Sequence, residues 1–433
     1  MERYVRIFSI ILISIHFLIG QSFEVQQLDS IIYEHGEFGG QLMLSHSNEP
    51  KFHTVEEFID EIVLNEPSID KKVIQRIFNP LMRSHSFNSS HDRLSQIRSR
   101  YPFIPENSEI KYGLIEEDRL GVLLDFDPDF NSHFSGVVGA GKVDDGSWNT
   151  AGEINVHLEN TWNTATVSDI VWKKTENKDQ YILLSHEDPF PFGLPFGYKI
   201  EFVQDLQNDL FVHNISRGSF STQLSNKGLW YFGGSRELLS PVNDNDSLAI
   251  ESFRSESIFT EYKMDSRNDR WMPTNGKFFN MTFEGGSIRS DVQKLTFRVD
   301  LNLALYFKIN PDISIKISSW DRGVWVDKKG AIHEGMMTLY GGHGSLRGYN
   351  ENMFKTQAVS ITKLDLLFTP SNAFHLYSFF DYSKNYEQLS AHSYGAGMRQ
   401  KMQNALIDIS FAWPVDESFS GGKVHIKFTS LID

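Results

Sequence analysis

Residues 295–307, LTFRVDLNLALYF, alternate without a break. Leu295, Phe297, Val299, Leu301, Leu303, Leu305 and Phe307 fall on one face, and Thr296, Arg298, Asp300, Asn302, Ala304 and Tyr306 on the other. A period of two marks a strand with one apolar face, because successive side chains leave opposite sides of the pleat. A tilted strand crosses a bilayer in about 9–11 residues, so this one is long enough. The pattern returns in Ile154, Val156 and Leu158, in Ile313, Ile315 and Ile317, and in Val424, Ile426 and Phe428. The opposite face carries Glu153, His157, Arg298, Asp300 and Lys316. A soluble sandwich would put these polar groups in water. A barrel in lipid inverts the arrangement, with apolar side chains outward and polar ones toward a lumen.

Three features favour the barrel. The chain opens MERYVRIFSIILISIHFLIGQSF, with Arg3 and Arg6 ahead of a short apolar run over residues 7–19. That run is too short to span a bilayer and reads as a secretory signal peptide over residues 1–20. The strands are long, and the alternating stretch over residues 131–433 accommodates about sixteen of them. Closure also removes unpaired strand edges, which lipid does not tolerate. There are no cysteines, so an exported chain must be stabilised by a large core or a closed sheet. The net charge of −15 argues against nucleic acid as a partner. Trp230, Tyr231, Trp320, Trp325 and Trp413 sit at strand ends in the manner of an interfacial girdle.

Residues 21–130 read as a small α/β domain. Thr54 and Glu57 form a capping box ahead of Val55, Phe58, Ile59, Ile62 and Val63, which share a helical face. Ser68 caps a second helix carrying Ile69, Val73, Ile74, Ile77 and Phe78, stopped by Pro80. Ser90 begins a third, with Leu94 and Ile97 inward. EIKYGLI and RLGVLLDF then read as two strands around residues 116–118, and a first strand is expected near residues 41–45.

The segment LYGGHGSLRGYNENMF, residues 339–354, is the richest in glycine. It is no phosphate loop, because the Lys-Ser/Thr ending and a following helix are missing. It is no nucleophile elbow, because His343 and Arg347 flank Ser345 where glycines are needed. Asp144, Asp145, Asp244 and Asp246 read as acidic turns rather than a calcium site, since no distal bidentate Glu follows. No His/Cys cluster suggests zinc or iron, and no cofactor is expected. His186, His213 and His392 carry no assigned role; a Ser–His or Asp–His pair on adjacent strands would be the route to a hydrolase in a barrel wall.

GGHGSLRGY resembles the lumen-loop motif of the BamA/TamA-like outer-membrane barrel superfamily, the bacterial surface antigen family. Its Arg-Gly-aromatic tripeptide is here Arg347, Gly348 and Tyr349. Residues 265–285 are similar to the family's Asp-rich turn with Pro and Gly. FFDYS, residues 379–383, resembles its Phe-x-Asp-x-Gly strand, with Ser383 in place of Gly. SYGAGMRQ, residues 393–400, resembles the Gly-x-Gly strand that follows, and FSGVVGAGKVDDGSWNTAGEINVHLENTW its opening strands. The likeness covers roughly residues 130–430.

The resemblance implies a loop folded back into the lumen. A guanidinium there needs a partner, since a desolvated unpaired charge is costly. Asp381 shares a face with Tyr377 and Phe379, and Asp365 with Lys363, so both carboxylates can face the lumen. The expected lock is Arg347 on Asp381, assisted by Asp365. Gly422, Val424, Ile426 and Phe428 make a final strand of the kind that outer-membrane assembly machinery reads, with TSLID following.

The resemblance further implies that residues 21–130 hold at most one POTRA-like periplasmic module. It implies a non-enzymatic role in protein insertion, translocation or outer-membrane biogenesis. The partners would be outer-membrane lipid, client outer-membrane or exported proteins, and periplasmic proteins. A channel or surface-binding barrel with a loop plug is the alternative.

Overall fold

The computed structural model describes residues 41–44, 51–54, 59–64, 68–115, 119–125, 127–142, 148–174, 179–207, 210–224, 227–242, 250–290, 292–327, 332–415, 417 and 421–432. Residues 1–20, Glu57, Asp144, Asp145, Asp244 and Asp246 therefore lie outside the described part. The chain divides into two compact units, residues 1–67, 77–94 and 107–126 in one, and residues 68–76, 95–106 and 127–433 in the other.

Strands β1 (Gln41–Leu44) and β2 (Lys51–Thr54) form an antiparallel hairpin of their own. Strand β3 (Glu61–Leu64) joins β4 (Glu109–Ile115) and β5 (Arg119–Asp125) in a sheet of order β3-β5-β4. β3 runs parallel to β5 and β4 antiparallel to it. This corrects two expectations. Residues 61–64 are a strand and not the end of a helix, and the three-stranded sheet starts there rather than near residues 41–45. The run Ile62-Val63-Leu64 fits both templates by hydrophobicity. Its β-branched side chains and the partner Ile62↔Val122 decide for the strand. Helix α1 (Lys71–Phe78) begins where Asp70 Oδ1 accepts the Lys72 amide at 2.8 Å, so Asp70 rather than Ser68 satisfies its first turn. Helix α2 (Phe87–Arg98) starts before Ser90, because Ser86 and Ser89 exchange side-chain-to-backbone bonds at its N-terminus. Phe87 stands edge-on to Tyr112 of β4 with ring centroids 4.6 Å apart.

Sixteen antiparallel strands make a closed barrel. In chain order they are β6 (His133–Lys142), β7 (Trp148–Glu159), β8 (Val167–Lys174), β9 (Gln180–Asp188), β10 (Gly197–Gln207), β11 (Phe211–Thr222), β12 (Leu229–Pro241) and β13 (Phe253–Asp265). Then come β14 (Gly276–Arg289), β15 (Gln293–Lys308) and β16 (Ile313–Val326). The loop after β16 carries the short pair β17 (Thr338–Tyr340) and β18 (Phe354–Thr356). The wall resumes with β19 (Ala358–Ser371), β20 (Phe374–Asn385), β21 (Ser390–Met402), β22 (Ala405–Pro414) and β23 (Lys423–Leu431).

Every alternating stretch of the sequence lies on one of these strands. Leu295, Phe297 and Phe307 of β15 are exposed, as are Leu364, Leu366 and Phe368 of β19. This is the outward face. Inward, Arg298 reaches Glu237 at 2.7 Å and Glu284 at 3.4 Å, while Glu284 also takes Arg217 at 3.1 Å. These four lumen-side charges are thus paired across strands, which buried ions require. The aromatic positions split. Trp325 is exposed, Trp230 stacks on Phe232, and Trp413 stacks on Phe411. Tyr231 is buried and donates to Glu187 at 2.6 Å, and Trp320 packs on the loop after β16. Those two are therefore not part of a girdle, because their strand parity turns them inward.

The end of the barrel where β6 starts is called the near end here. At the far end, Phe211, Leu239, Phe253, Ile288 and Val324 of the wall form a buried apolar cluster with Ile332 and Met336 of the loop after β16.

Closure is uneven. β23 pairs with β22 from Lys423 to Ser430, yet it meets β6 only through Ser430↔Phe134 and Leu431↔His133. One further backbone bond, Ile432 N to Ser132 O at 2.9 Å, continues this short contact.

Candidate functional site: the lumen loop and the seam

The loop between β16 and β19 turns back inside the barrel. His333 Nδ1 accepts the Gly335 amide at 3.1 Å and starts a single 3-10 turn, Glu334–Met336. The β17–β18 hairpin then carries the glycine-rich tip. Gly341 has φ +121°, and a Cβ there would lie 2.5 Å from the Asn350 carbonyl, so only glycine fits this turn. Ser345 staples the tip: its Oγ accepts the Gly341 amide at 2.7 Å and donates to the Gly341 carbonyl at 2.9 Å. Leu346 is fully buried with Tyr340, Val359 and Ile361. This small apolar core orients the residue that follows it.

Arg347 is 7 % exposed and Asp381 0 %. Arg347 Nε donates to Asp381 Oδ2 at 2.8 Å and Nη2 to Asp381 Oδ1 at 2.5 Å. The same Nη2 reaches Asp365 Oδ1 at 2.6 Å, and the Arg347 amide donates to Asp381 Oδ2 at 3.2 Å. Beneath the guanidinium lies Phe379, with the ring centroid 3.6 Å from Cζ. A flat, delocalised cation can fork onto a carboxylate and stack on a ring at once, which an ammonium cannot do. Lys316 of β16 occupies the other oxygen of Asp365 at 3.0 Å.

Gly348 has φ +88°, and a Cβ there would press on Ser393 and on the Trp413–Pro414 backbone at 3.2–3.3 Å. Its amide points at His425 Nε2 on β23, 3.5 Å away. Tyr349 donates to the His392 carbonyl of β21 at 3.0 Å and stands edge-on to Phe354. The tripeptide therefore touches β19 and β20 through Arg347, β21 through Tyr349, and β22 and β23 through Gly348. These are the five strands that lead to the seam.

Phe379, Lys316 and His425 complete this arrangement. Strand parity places Phe379 and Lys316 on the inner face, but their meeting with Arg347 and Asp365 depends on register across the wall. Val424, Ile426 and Phe428 of β23 point outward, with Ile426 70 % exposed, and the strand runs on to Leu431. Gly422 lies just before β23 against the Trp413 indole. Of the three histidines, His186 Nδ1 lies 2.8 Å from Ser168 Oγ and His213 Nε2 3.1 Å from Glu237, while His392 lends its carbonyl to Tyr349.

At the near end, the Asp-rich turn over residues 266–275 crosses to other strands. Arg270 grips Glu159 of β7 through both Nη atoms, at 2.6–3.1 Å, and donates to the Asp129 carbonyl at 2.9 Å. The Trp271 carbonyl accepts from Arg399 of β21 at 3.3 Å.

A closed sixteen-stranded barrel, apolar outside, with a long loop pinned inside it by one arginine, defines an outer-membrane barrel of the lumen-loop class. Residues 190–429, more than half of the chain, match the family model described as the Omp85 superfamily domain, and the chain belongs to that superfamily. Solved structures agree on the fold. BamA from Haemophilus ducreyi lacking POTRA domains 1–3 aligns with a TM-score of 0.53 at 13 % identity, over 88 % of this chain and 86 % of that one. CdiB from Escherichia coli aligns with a TM-score of 0.57 at 11 % identity, over 88 % and 78 %. CdiB from Acinetobacter baumannii gives 0.55 at 10 %, over 87 % and 74 %. A search of curated protein sequences finds no match.

Proposed function

We propose that this barrel inserts or translocates client proteins at the outer membrane, using the seam between β6 and β23. The observation that carries this reading is the short join of the two strands, which among the described residues leaves most of β23 without a ladder partner on that side. An unpaired edge offers a row of backbone donors and acceptors to which a client strand can add. The lumen loop supports the reading because it is fastened to the five strands on one side of the seam. Arg347, Asp381 and Asp365 act as the lock, and Gly422, Val424, Ile426 and Phe428 as the strand by which the chain itself is assembled. The unit with the β3-β5-β4 sheet serves as one POTRA-like module facing arriving clients, with residues 1–20 as the export signal.

Depletion tests this directly. Other barrel proteins, or a specific secreted partner, should fall in the outer membrane when the chain is removed. An unchanged outer-membrane and secreted proteome would refute it. The second reading is a channel plugged by the loop, favoured by the position of the loop in the lumen; it predicts conductance rather than a client defect.

A further inference from the structure

We infer that the lumen beside the loop tip holds a binding site for a small oxyanion, a phosphate or a carboxylate. This does not depend on the client reading. A cavity of about 300 Å³ lies between the loop and the inner wall, lined by five basic side chains but only two carboxylates, Asp365 and Asp408. That excess is notable in a chain whose net charge is −15.

The carboxylates are already committed. Asp365 is taken by Lys316 and Arg347. Asp408 receives Arg399 Nε at 2.8 Å and Nη2 at 2.5 Å, and Tyr377 at 2.5 Å. Two lysines are left over, and the register shows why. Lys363 stands directly across from Asp381 and Lys427 from Asp408, but an arginine holds each of those carboxylates. The planar fork makes two bonds where an ammonium makes one, so the lysines lose the competition. Neither forms an ion pair with a described carboxylate, and Lys363 reaches only the Gly344 carbonyl at 3.4 Å.

A second observation points the same way. His375 lines the cavity at 3 % exposure, and its Nε2 has no partner. The Nδ1 of His343, on the loop tip beside the same cavity, has none either. Two ammonium groups and two ring nitrogens thus line one cavity, with His375 buried, Lys363 and His343 half-buried and Lys427 exposed, and a ring nitrogen left without a partner away from water is unfavourable. An oxyanion beside the tip would be met by Lys363, Lys427 and His343 as donors, with the His343 imidazole in the tautomer or charge state that places a proton on Nδ1. It would also tie the loop (His343) to β19 (Lys363) and to the seam strand β23 (Lys427).

The test uses the purified full chain in detergent micelles. Inorganic phosphate and glutarate are titrated separately at constant ionic strength, by calorimetry and by thermal unfolding. One of them should bind saturably and raise the unfolding temperature, and the stronger of the two identifies the anion class. Lys363→Met and Lys427→Met should each weaken binding at least tenfold. Lys363→Arg, which keeps the charge, should retain it, and Lys427→Met covers the case in which Lys363→Met does not fold. Absence of saturable binding by either anion would overturn the site. So would binding that Lys427→Met leaves unchanged.

Discussion

Arg347 illustrates how much one side chain can be asked to do. It makes a forked ion pair and a stacking contact within one buried spot, and both need the geometry of guanidinium. Asp381→Asn leaves the cation without its main counter-charge, and breaking a buried pair costs about 3–5 kcal/mol. Arg347→Lys keeps the charge but loses the fork and the stack, for a loss of about 1.5–3 kcal/mol. Heat-dependent gel mobility of the purified barrel reads both, and midpoints equal to the parent in both variants would sink the lock. Part of this was legible in the chain. The parity of Asp381 and Asp365 turns both toward the lumen, and a lumen arginine must find a partner. Phe379, on the same face of the same strand as Asp381, was legible as a neighbour of the fork, but the help from Lys316 was not, because it depends on register between strands far apart in sequence.

At the level of elements, strand identity was the easy part. The alternation at residues 295–307 cannot be packed as a helix, whereas Ile62-Val63-Leu64 suits helix or strand until β5 is beside it. The seam is an element-scale feature that alternation does not encode, since Lys423–Leu431 looks like any other wall strand. It yields a prediction. Phe134 and Ser430 are direct partners, within reach of a disulfide, and the chain has no native cysteine to interfere. Phe134→Cys with Ser430→Cys should stop client insertion when oxidised and restore it on reduction; activity indifferent to the bond would exclude the seam as the route. On the outward face, Ile426→Arg should cost about 2–4 kcal/mol if it sits at mid-membrane, measured by urea unfolding in lipid vesicles. Arg270→Gln, which releases the turn over residues 266–275 from Glu159, should cost about 1–3 kcal/mol in the same assay.

For the whole molecule, closure is what lets an acidic, cysteine-free chain live in lipid. Most of its wall charges are turned inward, many of them paired across strands, and among the described strands the backbone edges are joined everywhere but at one place. Deleting residues 339–354 removes the body that fills the lumen near β19–β23. Planar-bilayer recordings should then show a larger conductance than the parent, and equal currents would mean that the loop does not obstruct the pore. The docking of that loop also has a kinetic consequence. The hydrogen bonds of its Arg347–Tyr349 tripeptide go to β19, β20, β21 and β23, all later in the chain than the tip itself. The seat of the tip is therefore complete only when the last strands are in place, and its full set of contacts forms together with closure rather than before it. Assembly then has a natural final checkpoint: a barrel cut short after β20 could make the arginine fork yet lack the Tyr349 and His425 contacts. Such a product would stay open to proteolysis at the loop, whereas the finished barrel hides it.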